Sequence, residues 1–166
     1  MSLLTVLLPT LGRPTLQRAI ESVEAQTIPC DLIVEHDTDR IGAGPMLNQM
    51  LPKVKTPWVH TLGDDDTLEP HFAALLAAQD QDADLIVFQM RYDGGGVLPT
   101  VTDPTQLRFG EVGCSYAVKT DVARRHGWIA EPCTNMLAED WEMIRSVRDN
   151  GGVIRIVPEV VYRVRH

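Results

Sequence analysis

Three observations predict an α/β domain whose mostly parallel central sheet is flanked by helices. Short apolar runs alternate with amphipathic stretches of helical period. The spacing between runs leaves room for a helix in each crossover, as right-handed βαβ units require. The chain has 166 residues, 44% hydrophobic and 23% charged, the size and composition of one domain with a real core.

Residues 3–8 form an apolar run closed by Pro9, the pattern of a buried strand. Pro14 suits a first helical turn, and Leu16, Ala19, Ile20 and Val23 keep helical spacing, so a helix is expected over 14–26. Leu32, Ile33 and Val34 read as a second strand, and 43–51 as a short helix after the glycines at 42 and 44. A third strand over 57–62 is followed by a helix over about 69–79 and a fourth strand over 84–90. The stretch 93–104, opening Asp93-Gly94-Gly95-Gly96, reads as a loop and a candidate lid. Beyond it the pattern predicts a strand over 109–118 and helices over 121–126 and 139–149. Two closing strands, 153–157 and 160–164, are expected around Pro158.

In a parallel sheet of this kind ligands sit at the carboxyl ends of the strands. Thr10, the acids of Glu35-His36-Asp37 and the run Asp64-Asp65-Asp66 all fall at that edge. Residues 1–92 therefore read as a nucleotide-binding half, although neither G-x-G-x-x-G nor a Walker A sequence is present. The three consecutive carboxylates repel one another, and a divalent cation bound by hard oxygen ligands relieves that repulsion. Mg²⁺ or Mn²⁺ held by one or two protein carboxylates completes its shell with substrate phosphates. The alternative reading is a solvated acidic turn capping the next helix, with Asp66 or Thr67 as N-cap. A calcium loop is a poor fit, because the acids are contiguous rather than alternating.

A net charge of −8 does not favour nucleic acid as a partner. Cys30, Cys114 and Cys133 are scattered, odd in number and match no metal spacing, which points to reduced thiols. No membrane segment or secretion signal is recognisable, and a cytoplasmic location is the expectation.

The opening Leu7-Leu8-Pro9-Thr10-Leu11-Gly12-Arg13-Pro14, followed by Arg18-Ala19-Ile20-Glu21-Ser22-Val23-Glu24-Ala25-Gln26-Thr27, closely resembles the start of family 2 glycosyltransferases. Gly63-Asp64-Asp65-Asp66 is similar to that family's metal-binding DxD position, with Glu69-Pro70 matching a proline shortly after it. Glu139-Asp140-Trp141, followed by Gly151, resembles the ED motif, and Tyr162-Arg163-Val164-Arg165-His166 a closing YR-x-H element. The matches fall in order across nearly the whole chain.

The resemblance implies a single GT-A domain over 1–166, with an acceptor and catalytic half over 93–166. It implies transfer of a sugar from a nucleoside-diphosphate sugar, with inversion, using Mn²⁺ or Mg²⁺. A uridine diphosphate sugar is the expected donor. Carried onto this chain, Asp65 is the principal metal ligand, with Asp66 and His166 as further candidates. Pro9, Thr10 and Asp64 border the donor, Glu35 or Asp37 meets the base, and Asp140 is the general base. Trp141, beside Glu139, shapes the acceptor side. Arg13 and Arg40 either neutralise diphosphate or are surface charges; Asn48 either faces the donor or is a solvated helix position. Trp58 and His60 read as structural strand residues.

Two departures stand out. After the second strand the family usually carries "DDGS", whereas this chain has Glu35-His36-Asp37-Thr38-Asp39, and Gly63 replaces an acid often found at the first DxD position. The acceptor site is expected to be open or completed by a second subunit, which makes a homo-oligomer a candidate state. Rival readings are a nucleotidyltransferase, which would want a basic glycine-rich loop, and a noncatalytic nucleotide-sugar or divalent-cation binding module.

Overall fold

The structure is a computed structural model and describes residues 2–79, 81–128 and 138–165. One sheet organises it. Its strands are β1 (Leu4–Thr10), β2 (Asp31–His36), β3 (Trp58–Thr61), β4 (Thr67–Leu68), β5 (Leu85–Tyr92), β6 (Val97–Leu98), β7 (Tyr116–Lys119) and β8 (Ile154–Val164). The helices are α1 (Leu16–Glu24), α2 (Ala43–Met50), α3 (Phe72–Ala77), α4 (Thr120–His126) and α5 (Ala138–Asp149). Strand order is β2-β1-β3-β7-β5-β8-β4, with β6 hairpinned onto β5. β1 pairs parallel with β2 and β3, and β5 with β8, while β7 runs antiparallel between β3 and β5.

The sheet is covered on both faces, so β1 reads as an unbroken apolar run rather than an alternation. Leu4, Val6 and Leu8 pack with Trp58, Phe72 and Phe88 in one core, beside α1 and α3. Leu7 turns the other way and packs with Leu47, Val59, Tyr116, Val122 and Ile144, against α2, α4 and α5. Trp58 is a core residue, as expected, and is 1% exposed.

Four expectations need correction. The stretch 109–118 is not one strand: only Tyr116–Lys119 pairs, because Gly110 takes a positive φ of 87° and the chain turns before β7. The two closing strands are one, β8. Val87 pairs with Ile156 and Gln89 with Val160, so residues 157–159 bulge opposite Phe88, and Pro158 sits where no ladder N–H is required. The expected loop at 93–104 begins as a tight hairpin, in which Tyr92 N–H donates to Gly96 O at 2.9 Å and Gly95 N–H to Tyr92 O at 2.8 Å. Finally, the helix expected from 69 begins only at Phe72. The preceding Thr67–Leu68 is a short strand on β8 that turns the acidic run back toward Tyr162 and Arg163.

Candidate active site

The carboxyl ends of β1 and β3 lie side by side in parallel register, and their continuations meet. The Thr10 hydroxyl donates to Asp64 Oδ2 at 2.6 Å, the Leu11 amide donates to the same oxygen at 3.1 Å, and Gly12 N–H donates to the Thr10 hydroxyl at 2.8 Å. Asp64 is thus a buried acceptor that ties the turn after β1 to the end of β3. Arg13 reaches over it, 3.3 Å from Asp64 Oδ1, and pairs more closely with Asp65. Arg18 donates to the Asp65 carbonyl at 2.8 Å. Arg13 therefore neutralises the acidic run from the first turn of the chain.

Asp66 is held from the opposite side. Its Oδ2 accepts the Tyr162 hydroxyl at 2.7 Å and its Oδ1 the Arg165 amide at 2.9 Å, while Tyr162 Oη accepts Gly63 N–H at 3.1 Å. Gly63 explains its own departure from the acid often found there. A Cβ at this position would lie 3.1 Å from both Asp65 Oδ1 and Asp66 Oδ2. A side chain at 63 would therefore crowd one oxygen of each carboxylate. Carboxylate oxygens such as these are the ligands of a hard divalent cation that keeps water and phosphate oxygens in its shell. Among the described residues no group of three His, Cys, Asp or Glu side chains is gathered for a metal. His166, the third expected ligand, lies outside the described residues.

The acids after β2 are engaged separately. Glu35 pairs with Lys53 on the rim, and Pro9 is its register partner in β1. Asp37 is buried, its amide donates to Thr10 O at 2.8 Å, and its carboxylate accepts Ile41 and Gly42 N–H at 2.8 and 2.9 Å. It folds the 38–42 turn back beside Thr10. Asn48, on α2, grips the backbone of Trp128: its amide nitrogen donates to Trp128 O and its oxygen accepts Trp128 N–H, both at 2.8 Å. His60 is fully buried between Phe72 and Tyr162, with Nδ1 2.7 Å from Tyr116 O; burial pushes it down to about 4, so it stands neutral.

Asp140 opens α5 and is 6% exposed. Burial lifts its carboxyl from an ordinary 3.8 to about 7, against hydrogen bonds from Cys114 and Tyr116 that lower it. The Cys114 thiol donates to Oδ2 at 3.4 Å. Burial, with the nearby charge of Asp140, pushes the Cys114 thiol well up, so it keeps its proton. Glu139 accepts Gly44 N–H at the start of α2; its carboxyl is still raised, chiefly by burial. Trp141 is half-buried against the second core, with the Arg148 guanidinium 5.3 Å from its ring centre.

Cys114, Tyr116 and Trp128 carried no functional signal in sequence, because each acquires its contact only through β7 and the turn after α4. Two cavities, about 310 and 560 Å³, lie near His126 and Asn150, one of them at the amino ends of β5 and β8, and among the described residues neither is lined by Asp64, Asp65, Asp66 or Asp140.

The fold is that of GT-A type glycosyltransferases. The chain superposes on Staphylococcus aureus TarS in complex with UDP-GlcNAc with a TM-score of 0.82 at 17% identity, covering 100% of this chain and 59% of that one. A mannosyltransferase from Pyrobaculum calidifontis, in complex with GDP-Man and Mn²⁺, matches with a TM-score of 0.70 at 15% identity over 98% of this chain and 56% of its own. Glucosyl-3-phosphoglycerate synthase from Mycobacterium tuberculosis, with Mg²⁺ and UDP, matches with a TM-score of 0.67 at 17% identity over 99% and 72%. The chain thus spans about three fifths of TarS as matched. No protein-family model and no curated protein sequence matches it. No helix among the described residues is long and apolar enough to cross a membrane.

Proposed function

We propose that the chain forms the donor-binding and catalytic core of an inverting glycosyltransferase that moves a sugar from a nucleoside-diphosphate sugar to an acceptor hydroxyl. The observation that carries this reading is an acidic run tied to Thr10 and Arg13 at the carboxyl edge of the parallel strands, in one domain with the buried Asp140 of α5. It joins a carboxylate pair suited to a metal–diphosphate to a buried acid that titrates near neutrality. The structural neighbours bound to UDP-GlcNAc, UDP or GDP-Man support the donor class.

On this reading Asp65 and Asp66 would hold Mg²⁺ or Mn²⁺, with His166 as a further candidate ligand. When bound, such an ion neutralises charge developing on the leaving diphosphate. Pro9, Thr10 and Asp64 form the wall along which the nucleotide lies, and Glu35 or Asp37 faces the base. Arg13 adds positive charge beside the diphosphate. Asp140 takes the acceptor's hydroxyl proton as the oxygen attacks the anomeric carbon from the side opposite the diphosphate, so one displacement inverts the centre. A base that titrates at about 7 is well matched to work at neutral pH, and general-base catalysis contributes about 10²–10⁴-fold. Trp141 and Glu139 border the acceptor.

The test is release of nucleoside diphosphate from UDP-GlcNAc and GDP-Man in the presence of Mn²⁺, followed by ³¹P NMR. Asp140→Asn is expected to bind donor as wild type does while turnover falls by about 10²-fold or more. Turnover by Asp140→Asn at the wild-type rate would refute the assignment.

A further inference from the structure

Arg13 bridges the first two carboxylates of the acidic run. Its Nη1 lies 3.3 Å from Asp64 Oδ1 and also donates to Asp65 Oδ2. The backbone that carries it is pinned on both sides. Gly12 takes a positive φ of 77° and its N–H donates to the Thr10 hydroxyl at 2.8 Å, while Arg13 O accepts Leu16 N–H at 3.1 Å at the start of α1. The Arg13 side chain is 44% exposed, so the guanidinium changes partner by moving the side chain alone. The two carboxylates answer to that move differently. Asp64 keeps the Thr10 hydroxyl and the Leu11 amide on Oδ2 whichever way Arg13 points. The Asp65 side chain is 33% exposed and can exchange one cation for another. A guanidinium and a divalent cation on the same carboxylate oppose each other whichever oxygen the ion takes, because both are positive.

We propose that Arg13 is an exchangeable counter-cation: it holds Asp65 until a nucleoside diphosphate draws its guanidinium onto phosphate oxygens, and the carboxylate so released takes up the divalent cation. The inference rests on the reading of the acidic run as a metal–diphosphate site and adds to it a coupling between nucleotide and metal. A guanidinium bonds carboxylate and phosphate oxygens in the same fork geometry, so the exchange conserves its hydrogen bonds. The cation arriving on Asp65 replaces the charge that Arg13 takes away, and the run stays compensated throughout. Arg18 does not share this role. It donates to the Asp65 backbone carbonyl at 2.8 Å, a neutral acceptor, and steadies the main chain of the run. A cation arriving alone meets a carboxylate already paired, whereas one arriving with nucleotide meets a carboxylate given up by Arg13. By linkage each ligand then strengthens the binding of the other by the same factor.

The experiment measures binding rather than turnover, on the full chain as wild type, Arg13→Gln and Arg18→Gln. Mn²⁺ alone is titrated by the loss of its free EPR signal, and UDP, GDP, ADP and dTDP are titrated by calorimetry with and without saturating Mn²⁺. Arg13→Gln is expected to bind Mn²⁺ alone about tenfold more tightly than wild type, and the gain in nucleotide affinity that Mn²⁺ confers is expected to shrink by a similar factor. Arg18→Gln removes the same unit of charge beside the run and is expected to change both quantities by less. Mn²⁺ affinity that is unchanged or weaker in Arg13→Gln would overturn the exchange while leaving the donor site in place. Equal effects from Arg13→Gln and Arg18→Gln would overturn it as well, since charge alone would then account for them. Failure of the wild type to bind Mn²⁺ with or without nucleotide would overturn the reading of the acidic run and the exchange together.

Discussion

Replacing Asp140 by asparagine should make the protein more stable in alkaline solution and less stable in acid. The Asp140 carboxyl titrates at about 7 in the folded chain against an ordinary 3.8, and burial is the chief cause. Between those values the folded state keeps a proton that the unfolded state has released, so wild-type stability falls as pH rises. Each unit of difference corresponds to about 1.36 kcal/mol, and integrating over pH 5 to pH 8 gives a loss of about 2–3 kcal/mol. Asparagine carries no such dependence. Its NH₂ group replaces one of the two accepting carboxylate oxygens, a pH-independent cost of about 1 kcal/mol. The two curves should therefore converge or cross below pH 5 and separate above pH 7, with the variant the more stable. Urea denaturation of both proteins at pH 5 and pH 8 measures this directly, because other titrating groups cancel in the difference. A stability difference that stays constant over this range would mean that Asp140 is ionised throughout, and the reasoning from burial would be wrong.

Other perturbations probe the rest of the site. Thr10→Val removes the donor to Asp64 and the acceptor for Gly12 N–H, and should cost about 1–3 kcal/mol in chemical denaturation; unchanged stability would contradict the buried geometry. Gly63→Ala places a methyl 3.1 Å from two carboxylate oxygens, so Mn²⁺-dependent nucleotide binding should weaken by about tenfold while far-UV circular dichroism is preserved. Asn48→Ala releases Trp128 and should lower stability by about 1–3 kcal/mol, with a shifted Trp128 indole resonance as its signature.

The parts of the fold legible in sequence are those set by local period. β1, α1, β3 and α5 were read from apolar runs and helical spacing within a residue or two at most boundaries. The acidic run was placed correctly at the carboxyl edge of β3, since a parallel sheet leaves little freedom there. β7, β8 and β4 depend on distant partners. β7 is four residues long and antiparallel, and its partners on β3 and β5 are distant in sequence. Pro158 looked like a break because the bulge that accommodates it exists only opposite Phe88. Asp37, Asp64 and Asp66 were recognisable as acids at the right edge, but their division of labour follows from which backbone amides face them. Asn48 read as a helix residue facing either the donor or solvent, and its grip on Trp128 was not legible because the groups it binds are 80 positions away.

The most direct test of the account is calorimetric titration of the wild type and Asp65→Asn with UDP, GDP, ADP and dTDP, with and without Mn²⁺. The account predicts selective binding of one diphosphate that requires Mn²⁺ and is lost in the variant. Absence of nucleotide binding under every condition, or binding that Mn²⁺ and Asp65→Asn leave unchanged, would contradict it.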